Sequence, residues 1–199
     1  MDNRKQVFAF DFDGTLTTKD TFIAFIRYTR GTLRFLCGFL LFSPLLVLMK
    51  LRVYPNYRAK QQVFSFFFRG TPIKRFDEQC AAFASHHRQL LRSRGISTLN
   101  DALTAGHRVL IVSASIDNWV RPFFPLSDTL TVIGTQIETS EGRITGRFLT
   151  PNCYGAEKVR RIKAVMGEEK DYQLTAFGDS RGDKEMLDYA DKGYFKPFR

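Results

Sequence analysis

The sequence predicts an α/β fold: a parallel sheet covered by helices on both faces, with a helical insertion near its start. Three observations carry this. Four short apolar runs each end in polar residues, helical patterns lie between the later runs, and the stretch 17–87 has no strand signal at all. With 199 residues, 44% hydrophobic and 25% charged, the chain has the composition of one folded core with a modest insertion, which excludes global disorder.

Residues 7–10 form the first apolar run and stop at Asp11-Phe-Asp13-Gly-Thr15, as a buried strand does when it reaches a polar loop. Residues 109–112, ending in Ser113-Ala-Ser115, residues 130–133, and residues 174–177, ending in Gly178-Asp179, read the same way. Helical patterns occupy 96–105, 117–124 and 156–166, the last with Val159, Ile162, Val165 and Met166 on one face. Residues 135–150 alternate around Glu141-Gly142 and predict a β-hairpin.

Within the insertion, Phe22, Ile23, Phe25 and Ile26 mark one helix, with Asp20 as its N-cap. Thr71-Pro72 is an N-cap and first-turn pair for another, whose Phe76, Cys80, Phe83, Ala84 and His87 share a face. Between them, residues 35–49 are fifteen positions without a charge. As helix they span roughly 22 Å, short of the ~30 Å hydrocarbon core, and Pro44 is expected to interrupt them. Arg27, Arg30 and Arg34 precede the run while Lys50, Arg52, Arg58 and Lys60 follow it, so charge sets no orientation and an interfacial or re-entrant segment is expected.

Charge is unevenly placed. Residues 1–100 carry 16 basic and 6 acidic side chains and 14 of the 20 Phe, whereas residues 101–199 carry 14 of each sign. A basic and apolar half points to an anionic partner with a greasy end. Nucleic acid is disfavoured, because no recognised binding module is present and a cluster of carboxylates would repel it. Cys37, Cys80 and Cys153 are odd in number and in no CxxC pair, so neither a disulfide framework nor a zinc site is expected. Only four apolar residues precede Asp11, too few for a secretion signal, and a reducing, cytoplasmic setting is the expectation.

In an open parallel sheet, ligands bind beyond the carboxyl ends of the strands. Asp11, Asp13, Ser113, Asp179 and Asp183 all fall there. Four carboxylates brought together call for a divalent cation, and oxygen ligands without nearby His or Cys favour Mg²⁺. Such a site, with one Lys and one hydroxyl, suits a phosphoryl group. His86, His87 and His107 have no carboxylate at ligand spacing and read as packing or surface residues.

The run Asp11-Phe-Asp13-Gly-Thr15-Leu-Thr17, then Val109-Leu-Ile-Val-Ser113, then Lys158, then Gly178-Asp179-Ser-Arg-Gly-Asp183 resembles the four ordered motifs of haloacid dehalogenase superfamily phosphatases. The resemblance implies a Rossmann-like three-layer core over 1–16 and 88–199, with 17–87 as an inserted helical cap of the kind found in subfamily IB, which includes phosphoserine phosphatase. It implies Asp11 as nucleophile and Asp13 as general acid and base. Mg²⁺ would be held by Asp11, Asp179 and the backbone carbonyl of Asp13, with Asp183 supporting from behind. Ser113 and Lys158 would bind the phosphoryl oxygens. At Gly182 the chain departs from phosphoserine phosphatases, which tend to have Asn there.

Residues 17–100 hold 14 basic and 3 acidic side chains beside the apolar run and Phe64-Ser-Phe-Phe-Phe68. Either these aromatics are the cap's own core, or the cap is membrane-seeking, with basic residues for anionic headgroups and apolar ones for acyl chains. The second arrangement, with Glu157-Lys158, resembles phosphatidylglycerophosphatase C of the same subfamily. The expected substrate is then a phospholipid headgroup phosphate such as phosphatidylglycerophosphate, met at the cytoplasmic face of an anionic membrane. The alternative is a soluble metabolite phosphatase of the phosphoserine type.

Overall fold

The computed structural model describes residues 4–51, 53–125 and 127–199. Arg52, one of the basic residues expected to flank the apolar run, lies outside them. Five parallel strands form one sheet in the order β3-β2-β1-β6-β7: β1 (Lys5–Phe10), β2 (Arg108–Ile116), β3 (Leu130–Thr135), β6 (Tyr172–Gly178) and β7 (Lys192–Phe195). The predicted strands are all present. The sequence reading missed β7, an exposed edge strand whose charged and glycine residues give no apolar run.

On one face of the sheet, Val7, Ala9, Leu110, Val112 and Leu174 pack against Ile162 of α6 (Ala156–Met166) and Met186 of α7 (Lys184–Tyr189). On the other, Phe10, Val109, Ile111 and Phe177 join a larger cluster that includes Leu99 of α4 (Ser93–Thr104). Two expected helices are corrected. The buried side of α6 is carried by Lys158 and Ile162, and Val165 is exposed, because the helix turns Lys158 toward the strand ends. The pattern over 117–124 is a short helix α5 (Asp117–Val120) that tightens into a 3₁₀ turn over Arg121–Phe123 where Pro122 lies.

The chain leaves the sheet after Leu16 and returns at Arg92. The two crossings are tied by Thr18 N–H to Leu90 O (2.8 Å) and Arg92 N–H to Leu16 O (2.8 Å). Three helices lie between: α1 (Thr21–Lys50), α2 (Asn56–Phe68) and α3 (Ile73–His86). Helix α3 starts one residue later than expected, with Pro72 in the cap position. Thr71 is instead engaged by Arg30 (3.0 Å) and, through its carbonyl, by Ile144 N–H (3.0 Å). Ile144 belongs to the predicted hairpin, β4 (Ile137–Ser140) and β5 (Arg143–Phe148), which forms its own two-stranded sheet, docks on α2, and accepts at Gly142 O from Ile73 N–H (2.9 Å) at the start of α3.

Aromatic residues hold the helices to the core. Phe25 stacks on Trp119 (5.0 Å) and Phe68 (5.5 Å) and meets Phe76 and Phe83 edge-on. Each such pair adds about 0.5–1.5 kcal/mol beyond area burial. Three of the four Phe in 64–68 are buried here; Phe66 is the exposed one.

Helix α1 has two arms. The break is at Gly31 (φ 76°, ψ 163°), a conformation open almost only to glycine. Pro44 does not interrupt the second arm, contrary to expectation. Its ring removes the N–H that would reach the Leu40 carbonyl, and the Ser43 hydroxyl donates to that carbonyl instead (2.7 Å). The arm from Thr32 to Lys50 is therefore ~28 Å of continuous helix. By length and composition α1 could cross a membrane, and only 6% of its most apolar window is buried, unlike the core helix of a soluble protein. Gly38 is covered by Phe67, and Phe42 meets Phe66 at 5.4 Å, so one side rests on α2. Leu33, Leu36, Leu40, Leu41, Val47 and Leu48 are exposed.

Candidate active site

The site is built where β1, β2 and β6 end. Asp11 N–H donates to Phe177 O (2.9 Å), carrying the β1–β6 pairing up to the first polar residue. The chain then turns tightly through Phe12–Leu16, with Gly14 at φ 83°. A Cβ at Gly14 would fall 2.5 Å from Asp179 Oδ2, so only glycine lets this turn lie against the β6 end.

Lys158, at the start of α6, is 1% exposed. Its Nζ donates to Asp11 Oδ1 (2.6 Å), Asp183 Oδ1 (2.6 Å) and Val112 O (2.7 Å), which uses all three of its protons. The basic residues beside it behave differently: Arg160 and Arg161 turn back onto Glu157. The second oxygen of Asp11 accepts from Thr15 Oγ1 (3.0 Å). Asp183 Oδ2 accepts from the Asp179 and Ser180 backbone N–H groups and from Ser180 Oγ, at 2.8–3.1 Å.

Asp13 joins strand ends to α1. Its Oδ1 accepts from Thr21 N–H (2.7 Å) and Thr21 Oγ1 (2.6 Å), and its Oδ2 from Ser115 Oγ (2.5 Å). Trp119 Nε1–H donates to the same Thr21 hydroxyl (3.2 Å). Asp20 caps α1 as expected, accepting from Phe22 and Ile23 N–H groups. Ser113 is fully buried, its Oγ accepting from Ser115 N–H (3.0 Å), and the neighbouring cleft wall is Ala114. Arg199 pairs with Asp179.

Burial dominates the electrostatics. It pushes the Asp11 carboxyl up to about 7, with Lys158 pulling against the rise and the Asp183 charge adding to it. Burial and the Asp20 charge also raise Asp13, against the hydrogen bonds from Ser115 and Thr21. Asp179 is raised by burial despite Arg199. Asp183 is lowered, because Lys158 and the Ser180 donors outweigh its burial. Burial would lower Lys158 too, but Asp11 and Asp183 outweigh it and hold the ammonium protonated.

Carboxylate oxygens of Asp11, Asp179 and Asp183 lie within 4.8 Å of one another. An all-oxygen donor set this close fits a hard divalent cation such as Mg²⁺. With the Asp183 oxygens taken by four donors, Asp11 and Asp179 hold the freer oxygens.

Above this floor is a cleft of about 360 Å³. Asp11, Asp13 and Lys158 line its base, and Phe39, Leu46 and Met49 of α1 form an apolar wall. Lys60 of α2 and Tyr154 also face it. A Cβ at Gly182 would fall 2.3 Å from the Tyr154 ring, so a larger side chain such as Asn has no room here.

Sequence reasoning missed Thr15, Thr21, Ser115, Lys60 and Arg199. For Thr21 a signal existed: it opens α1, where the first N–H groups lack helical partners and seek a carboxylate. His86, His87 and His107 pack as expected, against Tyr28, Phe83 and Phe8.

A family model described as haloacid dehalogenase-like hydrolase matches residues 8–188. Protein CicA of Caulobacter vibrioides (strain NA1000 / CB15N) is 36% identical over 196 residues, covering 96% of this chain and 86% of CicA. Among solved structures, a protein of unknown function from Bordetella pertussis Tohama I aligns with a TM-score of 0.72 at 20% identity, over 94% of this chain and 87% of that one. A phospho-aspartyl intermediate analogue of phosphoserine phosphatase aligns with a TM-score of 0.59 at 17% identity, over 97% and 86%.

Proposed function

The chain belongs to the haloacid dehalogenase-like hydrolase family, and from that premise we propose that it is a Mg²⁺-dependent phosphomonoesterase acting on a phospholipid headgroup phosphate at an anionic membrane surface. The observation that carries the lipid reading is that one arm of α1 is at once the apolar wall of the catalytic cleft and an exposed apolar face.

Asp11 is the nucleophile. Lys158 and Thr15 fix its two oxygens, so one carboxylate oxygen is aimed without rotamer search. Attack forms the bond from Asp11 to phosphorus and breaks the bond from phosphorus to the leaving alkoxide, which takes its proton from Asp13. Burial favours the protonated Asp13 needed for that step. Asp13 then removes a proton from the water that hydrolyses the aspartyl-phosphate. Lys158 keeps its charge throughout and offsets repulsion between Asp11 and the dianionic phosphoryl group. Ser113, expected from its motif to bind a phosphoryl oxygen, is fully buried inside β2 with its Oγ engaged by Ser115 N–H, and Ala114 is the residue β2 presents to the cleft. Mg²⁺, held by Asp11, Asp179 and the Asp13 carbonyl, would supply further charge stabilisation when bound. Asp183 acts through Lys158 and the Asp179 backbone, holding both in place.

The helical segment 17–87 serves as a cap over this core. Its arm lies against α2 on one side, which favours lying in the interface over crossing the bilayer. Arg27, just before the arm, and Arg34, near its start, are exposed and supply charges for anionic headgroups, as does Lys50 at its end, whereas Arg30 is held against Thr71 and the Phe68 ring.

Sedimentation with vesicles and assay of phosphate release test the reading together. The protein is expected to bind anionic vesicles and to hydrolyse phosphatidylglycerophosphate in preference to phosphoserine, with activity lost to EDTA and restored by Mg²⁺. Indifference to anionic vesicles together with a preference for water-soluble phosphates overturns it in favour of a soluble metabolite phosphatase.

A further inference from the structure

Two lysines face the cleft, and their partners differ. Lys158 spends its three protons on Asp11, Asp183 and Val112. Lys60 donates once, to Ala114 O at 2.9 Å, with its ammonium 5.4 Å from the Phe22 ring centroid, and among the described residues no carboxylate pairs with it within 4.0 Å. Two of its protons are left for something in the cleft. A part-buried cation without a counter-ion costs free energy that an anionic ligand can recover.

Its place in the cleft says which anion. Lys60 donates to Ala114 O, next to Ser115 whose hydroxyl holds Asp13 Oδ2, and lies over Phe22, next to Thr21 which holds Asp13 Oδ1. It is therefore on the side of the floor where Asp13 serves the leaving group. Its neighbours Phe22 and Val63 begin the apolar lining that Phe39, Leu46 and Met49 continue. From floor to wall the cleft reads as carboxylates with Lys158, then a lone ammonium, then hydrocarbon.

We propose that Lys60 determines specificity by binding a second anionic group, a phosphodiester or a carboxylate, carried by the alcohol part of the substrate. The assignment rests on the phosphomonoesterase reading and adds to it a substrate with two anions, one to be hydrolysed and one to be held. Burial lowers the pKa of Lys60, as expected of an ammonium kept from water until its partner arrives.

The test compares two matched pairs of substrates. One is dihexanoyl phosphatidic acid and the short-chain lipid in which a glycerol phosphodiester separates the diacylglycerol from the terminal phosphate. The other is glycerol 2-phosphate and 2-phosphoglycerate, which adds a carboxylate without acyl chains. Wild-type protein is expected to prefer the member with the second anion. Lys60→Met should cut that preference about tenfold or more, chiefly through KM, and Lys60→Arg should keep most of it. Lys60→Gln, which retains a donor for Ala114 without the charge, should behave as Lys60→Met, and it serves if the Met variant does not fold.

Equal loss on both members of each pair overturns the proposal and leaves Lys60 a latch between α2 and the β2 end. A Lys60-dependent preference confined to the soluble pair sustains the proposal for a carboxylate and sinks the lipid reading. Failure of the wild type on all four phosphomonoesters removes the phosphatase reading, and this proposal with it.

Discussion

Phe64–Phe68 and the arm from Thr32 to Lys50 are both strongly apolar, lie within one helical insertion, and have opposite fates. In the first, Phe64, Phe67 and Phe68 are buried against Phe25, Phe76 and the hairpin. In the second, Leu33 and Leu40 are each 76% exposed. The difference is geometric. Helix α2 is packed between α1 and β5 and buries Ala59, Val63, Phe64, Phe67 and Phe68, whereas the arm, turned outward at Gly31, has α2 on one side and the cleft below. An exposed apolar face on this scale is not a core, and under the membrane-surface reading proposed above it is the face that meets lipid. Hydropathy therefore reports what a segment avoids, while its neighbours decide whether the protein itself provides the shelter.

Substitutions can break or sharpen that contrast. The largest effect belongs to neither segment: Asp11→Asn should lower turnover roughly 10³-fold or more, read as phosphate release, with vesicle binding unchanged. If binding falls in step, chemistry and docking are not separable as described. Next is the buried side, where Phe25→Ala should cost about 3–5 kcal/mol in urea unfolding, because it removes the ring on which Trp119, Phe68, Phe76 and Phe83 converge. A cost below 1 kcal/mol would mean the aromatic cluster does not hold the insertion to the core.

Gly31→Ala is a smaller change. Among the described residues no atom lies within 4 Å of the added Cβ, so the expected loss of about 1–3 kcal/mol in thermal unfolding is conformational. A neutral result would show that the arm leaves α1 without that backbone conformation. The smallest effect on stability should come from the exposed side. Replacing Leu36, Leu40 and Leu41 together by Ser should shift unfolding by no more than about 0.5 kcal/mol. The same triple change should weaken anionic vesicle binding roughly 30-fold. A large stability loss in its place would place these leucines in a core.

Much of the site was legible because it sits in short local patterns. A polar residue directly after an apolar strand is placed by the strand itself, and so Asp11 and Asp179 could be read at the strand ends, whereas Ser113 lies inside β2, which continues to Ile116. Lys158 could be named from its motif, but its separation from Arg160, Arg161 and Lys163 came only with the turn of α6. The partners of Asp13 were hidden for another reason. Ser115 is 102 positions away, and nothing in either neighbourhood signals the pairing. Pro44 misled because the usual rule counts the lost N–H and not the hydroxyl at Ser43 that replaces it.

By itself, then, the sequence determined the parallel sheet, the inserted helices, the hairpin and the order of the four motifs, since each depends on periodicity or on neighbours within a few positions. Tertiary structure alone decided that Lys158 ties Asp11 to Asp183, that Lys60 reaches the cleft from α2 with no carboxylate paired to it among the described residues, and that one apolar stretch is sheltered while the other faces outward. Those outcomes depend on which surfaces meet in space, a property of pairs of segments far apart in the chain that no single segment carries.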